Sequence, residues 1–267
     1  MIINPTKLAS GLLGKPLAIH PGYFQAAMGI EARALDDGVR LDCGYALVDG
    51  VAVIPVLGLL VQDLGTIYSW GDVTGYDGIR ANFLMALADS KVDAIALSVK
   101  SGGGDCAALF DLVDLIYESR DIKPTLAICA ETAYSAAYAL ASACEQITVP
   151  RTGGVGSVGV VAAHIDVTKA LDMAGIAVEF FHYGDRKVDG HSEIPLSKEA
   201  RERFQADVDE LGKLFVSTVA RNRNLSVDAV RKTQATTFLG AAGVEAGLAD
   251  AVMAPDEAFR SLLAELG

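Results

Sequence analysis

The chain has 267 residues, 51% of them hydrophobic and 21% charged, with 34 acidic against 22 basic side chains. That length supports one large α/β domain, or two small ones, with a full core. The acidic balance, with no basic run and no interleaving of basic and aromatic residues, argues against a nucleic-acid partner.

Residues 1–45 read as an N-terminal extension, with a short helical patch from Gly22 to Ala34 and a turn at Asp36-Asp37-Gly38. The first residues lack the basic-then-apolar pattern of a secretory signal, which implies a cytoplasmic chain. The apolar stretch from Val51 to Val61 is interrupted by Pro55 and Gly58. It is too short to span a bilayer and reads as a bent, buried strand, so no integral membrane association is expected.

From Tyr45 onwards strand-like and helix-like segments alternate. Strands are expected at Val51–Leu57, Ala94–Val99, Thr125–Cys129, Gln146–Val149, Gly159–Ala163 and Ile176–His182. Helices are expected at Asp77–Asp89, Cys106–Ser119, Ala136–Cys144 and Thr168–Ala174. This alternation predicts parallel strands joined by crossover helices, an α/β class. Leu109, Leu112, Val113 and Ile116 recur at helical spacing and form a core-facing stripe. Ser197 opens a long helix, Lys198 to Asn222, whose apolar face is Phe204, Val208, Leu211, Phe215 and Val219. Ser226 caps another helix, Val227–Thr233. The segment Phe238 to Asp250 reads as a short helix closed by Gly247, then a strand. One domain over 46–255 and a tail over 256–267 follow.

The segments that could carry chemistry sit at strand ends. Ser135 stands where an apolar run gives way to an alanine-rich segment of high helix propensity. A serine there is far more often an N-cap than a nucleophile. At such a turn, however, a hydroxyl can face a cleft while the first N–H groups of the helix remain free for an anion. Ser101-Gly102-Gly103-Gly104 reads as a glycine turn after a buried strand, where backbone can approach closely. A serine nucleophile needs a base. His182 and His191 are candidates without a triad-like spacing. Lys187, in a loop after Ile176–His182, is another, because a desolvated lysine can serve as a base. The bland reading of Lys187 is a solvated loop residue. The glycine loop around Ser157 lacks the Gly-Lys-Ser/Thr ending of a phosphate loop. Cys43, Cys106, Cys129 and Cys144 show no Cys-x-x-Cys spacing and read as buried thiols, with no metal site and no cofactor.

In order, Ser101-Gly-Gly-Gly104, Tyr134-Ser-Ala-Ala-Tyr138, Gly153-Gly-Val-Gly-Ser-Val-Gly159, Gly184-Asp-Arg-Lys-Val-Asp189 and the Phe238–Asp250 segment resemble the signal peptide peptidase A family of Ser-Lys proteases. The likeness runs from about Val51 to Val252. Tyr134–Tyr138 and Pro150-Arg-Thr-Gly-Gly-Val-Gly are most similar to the branch in tailed phages and prophages, minor capsid proteins that act as head maturation proteases. The resemblance implies the Clp-protease/crotonase-like fold of repeated ββα units, with a parallel sheet and flanking helices. It implies Ser135 as nucleophile, Lys187 as general base and Ser157 as the residue that orients the lysine. Oxyanion donors would be the N–H groups of Ala136 and of Gly103 or Gly104. It also implies a polypeptide substrate, capsid, portal or scaffold partners, and a ring-like homo-oligomer whose dyad can be completed between neighbours. Gly102 stands where the family usually has proline, which loosens the turn. Two other functions fit the resemblance: a cellular peptidase of signal peptides or membrane-protein fragments, and an inactive assembly or scaffold protein that keeps the fold. A crotonase-type acyl-CoA enzyme shares the fold but gives the Ser-Lys pair no role.

Overall fold

A computed structural model describes residues 16–20, 44–69 and 71–267. The expected helix at Gly22–Ala34, the turn at Asp36–Gly38 and Cys43 lie outside the described residues.

The centre is built by three long strands: β3 (Val51–Val61), β5 (Ala94–Asp105) and β6 (Thr125–Tyr134). Their first halves are nearly continuous runs of Val, Ile, Leu and Ala, as expected of parallel strands covered on both faces. With β2 (Ala46–Val48), β7 (Gln146–Val149) and β10 (Ala251–Val252) they give the order β10-β7-β6-β5-β3-β2. All neighbours pair in parallel except β2 with β3.

Each long strand then bends. The β3–β5 register shifts between Leu57 and Leu59, and the β5–β6 register shifts between Val99 and Ser101. Gly58 supplies the first bend with φ +63°, where a Cβ would run into the backbone of Asp72. Beyond the bends, short strands take over as partners. β4 (Val73–Gly75) pairs with the end of β3, and β1 (Leu17–Ile19) pairs antiparallel with the end of β5. The end of β6 takes β8 (Gly154–Gly156), which pairs in turn with β9 (Thr237–Leu239). The glycines of Ser101–Gly104 are thus strand, not turn. This is the α/β architecture expected from the alternation of elements, a mainly parallel sheet with flanking helices.

Helices α1 (Tyr76–Ala88), α2 (Leu109–Glu118) and α3 (Ala136–Ser142) cover one face, with the main core between them and the sheet. α4 (Thr168–Met173) has no buried residue. In α5 (Lys198–Asn222) the expected apolar stripe is buried mainly at its C-terminal end, at Phe215 and Val219. There Arg223 forms a two-pronged ion pair with Asp250 at 3.0 and 2.6 Å, while Asp250 also accepts the Ile147 N–H at 2.7 Å. That couples the end of α5 to β7. α6 (Val227–Lys232) and α7 (Gly240–Glu245) complete this side.

Two expected strands are absent. Gly159–Ala163 contributes a single bridge, Val161 to Leu17, and Ile176–His182 has no strand partner among the described residues. Ile176, Val178 and Phe181 are exposed there, so their apolar alternation has no sheet face to cover. Of residues 256–267, expected as a C-terminal tail, all but Gly267 lie in α8 (Pro255–Leu266). Its Ala258 and Leu262 pack under the sheet against Val51, Ala94, Ala96, Leu126 and Ile128.

Leu262→Ala should therefore lower stability by about 2–3 kcal/mol through lost transfer energy and a residual cavity. A urea melt showing no shift in midpoint would place α8 outside the cooperative core.

Candidate active site

Among the described residues three serines stand at helix N-caps, and they differ. Ser197 and Ser226 have extended backbones, and each hydroxyl accepts the N–H three residues on, from Ala200 and Ala229, both at 3.1 Å. They are ordinary caps. Ser135 precedes α3 with φ +54° and ψ −122°, and its side chain caps nothing. Its N–H donates to the Gly156 carbonyl at 2.8 Å, its carbonyl accepts the Ala139 N–H at 2.9 Å, and its hydroxyl reaches the Gly159 carbonyl at 3.5 Å, the outer limit of a hydrogen bond. A non-glycine residue in that region carries strain of about 1–3 kcal/mol. The sheet on one side and the fully buried α3 on the other hold it there.

Gly103 lies directly beside it. A Cβ on Gly103 would stand 3.0 Å from the Ala136 nitrogen and 3.0 Å from Ser135 Cβ, and would collide with the Ala18 carbonyl oxygen. With φ +104° the position also needs glycine for conformation. The Gly103 N–H donates to Ser101 Oγ at 3.1 Å, while Ser101 donates to the Gly58 carbonyl at 2.6 Å. Gly104 is in register with Ala18 of β1. Ser157 is buried with φ +58°, and its N–H donates to the Thr236 carbonyl at 3.0 Å.

Ser135, Ala136, Gly103, Gly104 and the Ser157 loop are thus gathered at the bend of the sheet. Lys187 is not. It is exposed in the single chain, where its N–H donates to the Gly184 carbonyl at 3.1 Å, and its amine makes no hydrogen bond or ion pair among the described residues. The histidines weighed as bases lie elsewhere: His182 contacts the Gly184 carbonyl at 3.0 Å, and His191 pairs with Glu193 at 3.4 Å. No group of residues able to hold a metal occurs among the described residues. No described helix is long and apolar enough to cross a membrane.

The three described cysteines offer no competing nucleophile. Burial pushes Cys129 and Cys144 up to about 12, and burial with the Asp105 charge does the same to Cys106. All three are free thiols. Sequence reasoning missed β1. Three strand residues between Pro16 and Pro21 leave no periodicity to read.

A strained, uncapped serine between a sheet bend and a helix N-terminus keeps its hydroxyl free of a capping bond. The chain belongs to peptidase family S49, whose model matches residues 118–267. It is 41% identical to the head-tail preconnector protein GP5 of Enterobacteria phage P21, over 96% of this chain and 56% of that protein. It is 36% identical to the capsid assembly protease C of Escherichia phage lambda, over 84% of this chain and 51% of the relative. The chain therefore spans about half the length of these relatives. The chloroplastic serine protease SPPA of Arabidopsis thaliana is 26% identical over 76% of the chain and 30% of that protein. Among solved structures, a mutant 1510-N membrane-bound stomatin-specific protease with a substrate peptide has a TM-score of 0.47 at 14% identity, covering 82% of this chain and 80% of that one.

The raised thiol pKa values have a pH consequence. In the unfolded chain these thiols ionise near 9 and in the folded chain near 12, so stability is fully present below about pH 9 and falls as pH rises towards 12. Iodoacetamide at pH 8 should leave Cys106, Cys129 and Cys144 unmodified until denaturant is added. Peptide mapping that finds any of them alkylated in the native protein would contradict this.

Proposed function

We propose that this chain is the protease portion of a phage or prophage head maturation protein, an endopeptidase that cuts scaffold, portal or capsid polypeptides in the host cytoplasm. The observation that carries the reading is Ser135, held in a strained conformation that frees its hydroxyl from capping, in a chain whose relatives are phage assembly proteins. Ser135 Oγ attacks the scissile carbonyl while the neutral Lys187 amine takes the hydroxyl proton. The resulting oxyanion is met by the N–H groups of Ala136 and of the glycine segment, Gly104 or Gly103. Collapse expels the new amine terminus, which receives the proton from Lys187. Water then repeats the sequence on the acyl-enzyme with the same base. Ser157 orients the lysine amine.

Lys187 must reach Ser135 for this, and in one chain it does not. The segment that carries it exposes Met173, Phe181 and Tyr183 at 85%, 90% and 101%. Apolar side chains so exposed mark an interaction surface. We therefore place completion of the dyad at the interface of a ring-like homo-oligomer, where these side chains are covered and the lysine is desolvated. A cellular peptidase or an inactive scaffold protein draws no specific support from the structure.

In a casein or peptide cleavage assay, Ser135→Ala and Lys187→Ala should each lower turnover by about a thousandfold or more. His182→Ala and His191→Ala should stay near the parent rate. Mixing the two inactive variants should restore part of the activity through mixed interfaces. A mixture that stays dead while subunits demonstrably exchange would put both residues in one chain. A folded histidine variant without activity would overturn the dyad.

A further inference from the structure

Ser135 has 0% of its surface exposed, so in this form it cannot meet a substrate. Beside it, over Gly103, runs the chain's own segment Pro16–His20. Its strand, β1, is held on two sides. Along β5 it runs antiparallel, with Ala18 opposite Gly104 and Ile19 opposite Gly103, and the His20 N–H donates to the Gly102 carbonyl at 2.8 Å. On its other edge Leu17 exchanges two hydrogen bonds with Val161, both at 2.8 Å. The Ala18 carbonyl and Ser135 Cβ crowd the same side of Gly103, next to the Ala136 nitrogen. Leu17 and Ile19 point into an apolar patch of Leu59, Val61 and Val73, and the His20 ring lies 4.9 Å from that of Tyr134, the residue before the serine.

Main-chain pairing along an open strand, with alternate side chains in a pocket, is how a protein takes up an extended peptide. We propose that residues 16–20 are a built-in pseudosubstrate. They fill the groove meant for the substrate, with Ala18 beside the nucleophile, and must withdraw before a polypeptide can enter. This rests on the proposed function for the meaning of the groove. It adds that the groove is closed by the chain itself and that it selects a small residue next to Ser135, flanked by aliphatic ones. The Lys187 amine makes no hydrogen bond among the described residues of the single chain, so under the proposed mechanism the strand lies beside the serine without being cut. A tethered strand competes at an effective concentration of about millimolar, so weak contacts suffice to hold the site shut.

The test separates binding from catalysis. In full-length Ser135→Ala protein, Leu17→Asp with Ile19→Asp puts two carboxylates where only apolar side chains fit, and should expel the strand. A fluorescein-labelled peptide with the sequence of residues 15–21, Lys-Pro-Leu-Ala-Ile-His-Pro, should then bind at least tenfold more tightly than to the Ser135→Ala parent, read by anisotropy. Equal affinity in the two folded proteins overturns the proposal whether or not the wild type is a protease.

Should the opened variant not fold, Leu17→Cys with Val161→Cys locks the strand instead. Paired residues in an antiparallel ladder lie about 5.5 Å apart, within reach of a disulfide. The oxidised Ser135→Ala form should bind the peptide at least tenfold more weakly than the reduced form, and with Ser135 present casein turnover should fall at least tenfold and return with reductant. A cross-linked protein that binds peptide as the reduced one does also overturns it. Failure of the catalytic reading would show separately, as a wild type without turnover.

Discussion

Everything around the candidate site depends on the strained backbone of Ser135. A residue left to itself at a helix start would relax to an extended conformation and use its hydroxyl as a cap, as Ser197 and Ser226 do. Here β8 fixes the Ser135 N–H through Gly156, and α3 fixes its carbonyl through Ala139. Both ends of the residue are tied before its side chain has any say. The bulges in β3 and β5 serve the same end. They turn the strand ends towards the serine and bring a glycine to its side, where any larger residue would meet the Ala136 nitrogen.

The fold was legible where local chemistry agrees with tertiary packing. Helix Lys198–Asn222 matches at both ends because Ser197 caps its start and Asn224, with φ +52°, ends it just beyond Arg223. Gln146–Val149 matches because it is short, apolar and flanked by turns. The three central strands run longer than expected because pairing resumes beyond a register shift in each, and in β3 the residue at the shift is Gly58, normally a terminator. Strands β1, β4, β8 and β9 have three residues each, too few for any period to register.

The site was legible in its serine and glycines and less so in its lysine. Ser135, Ala136, Gly103 and Gly104 come together through the sheet, so one chain suffices to assemble them. Lys187 follows a stretch, Ile176–His182, whose apolar pattern predicted a strand, yet Ile176 and Val178 meet no sheet. A periodic apolar pattern specifies only that a face is to be covered. It does not say by which chain. The same holds for the N-terminal half of α5, where Phe204 and Val208 of the expected stripe are only half-buried while Phe215 and Val219 near the other end are fully buried.

Helix α3 shows how steric volume can set chemistry from behind. All its residues are buried, and five of the seven are alanine or serine. At its far end the Arg120 guanidinium binds the carbonyls of Ser142, Ala143 and Cys144 at 2.9, 2.7 and 2.5 Å, and Asn222 holds the Ser142 hydroxyl at 3.0 Å. The helix is therefore a short rod, clamped at one end and bearing the serine at the other. Its distance from the sheet is set by alanine methyls, because close-packed interiors have no slack to absorb a larger group. One added methylene on the sheet side would tilt the rod about its clamp and re-aim the hydroxyl without touching any polar atom of the site. The run of alanines is thus an alignment device, in which the smallness of the side chains carries the information.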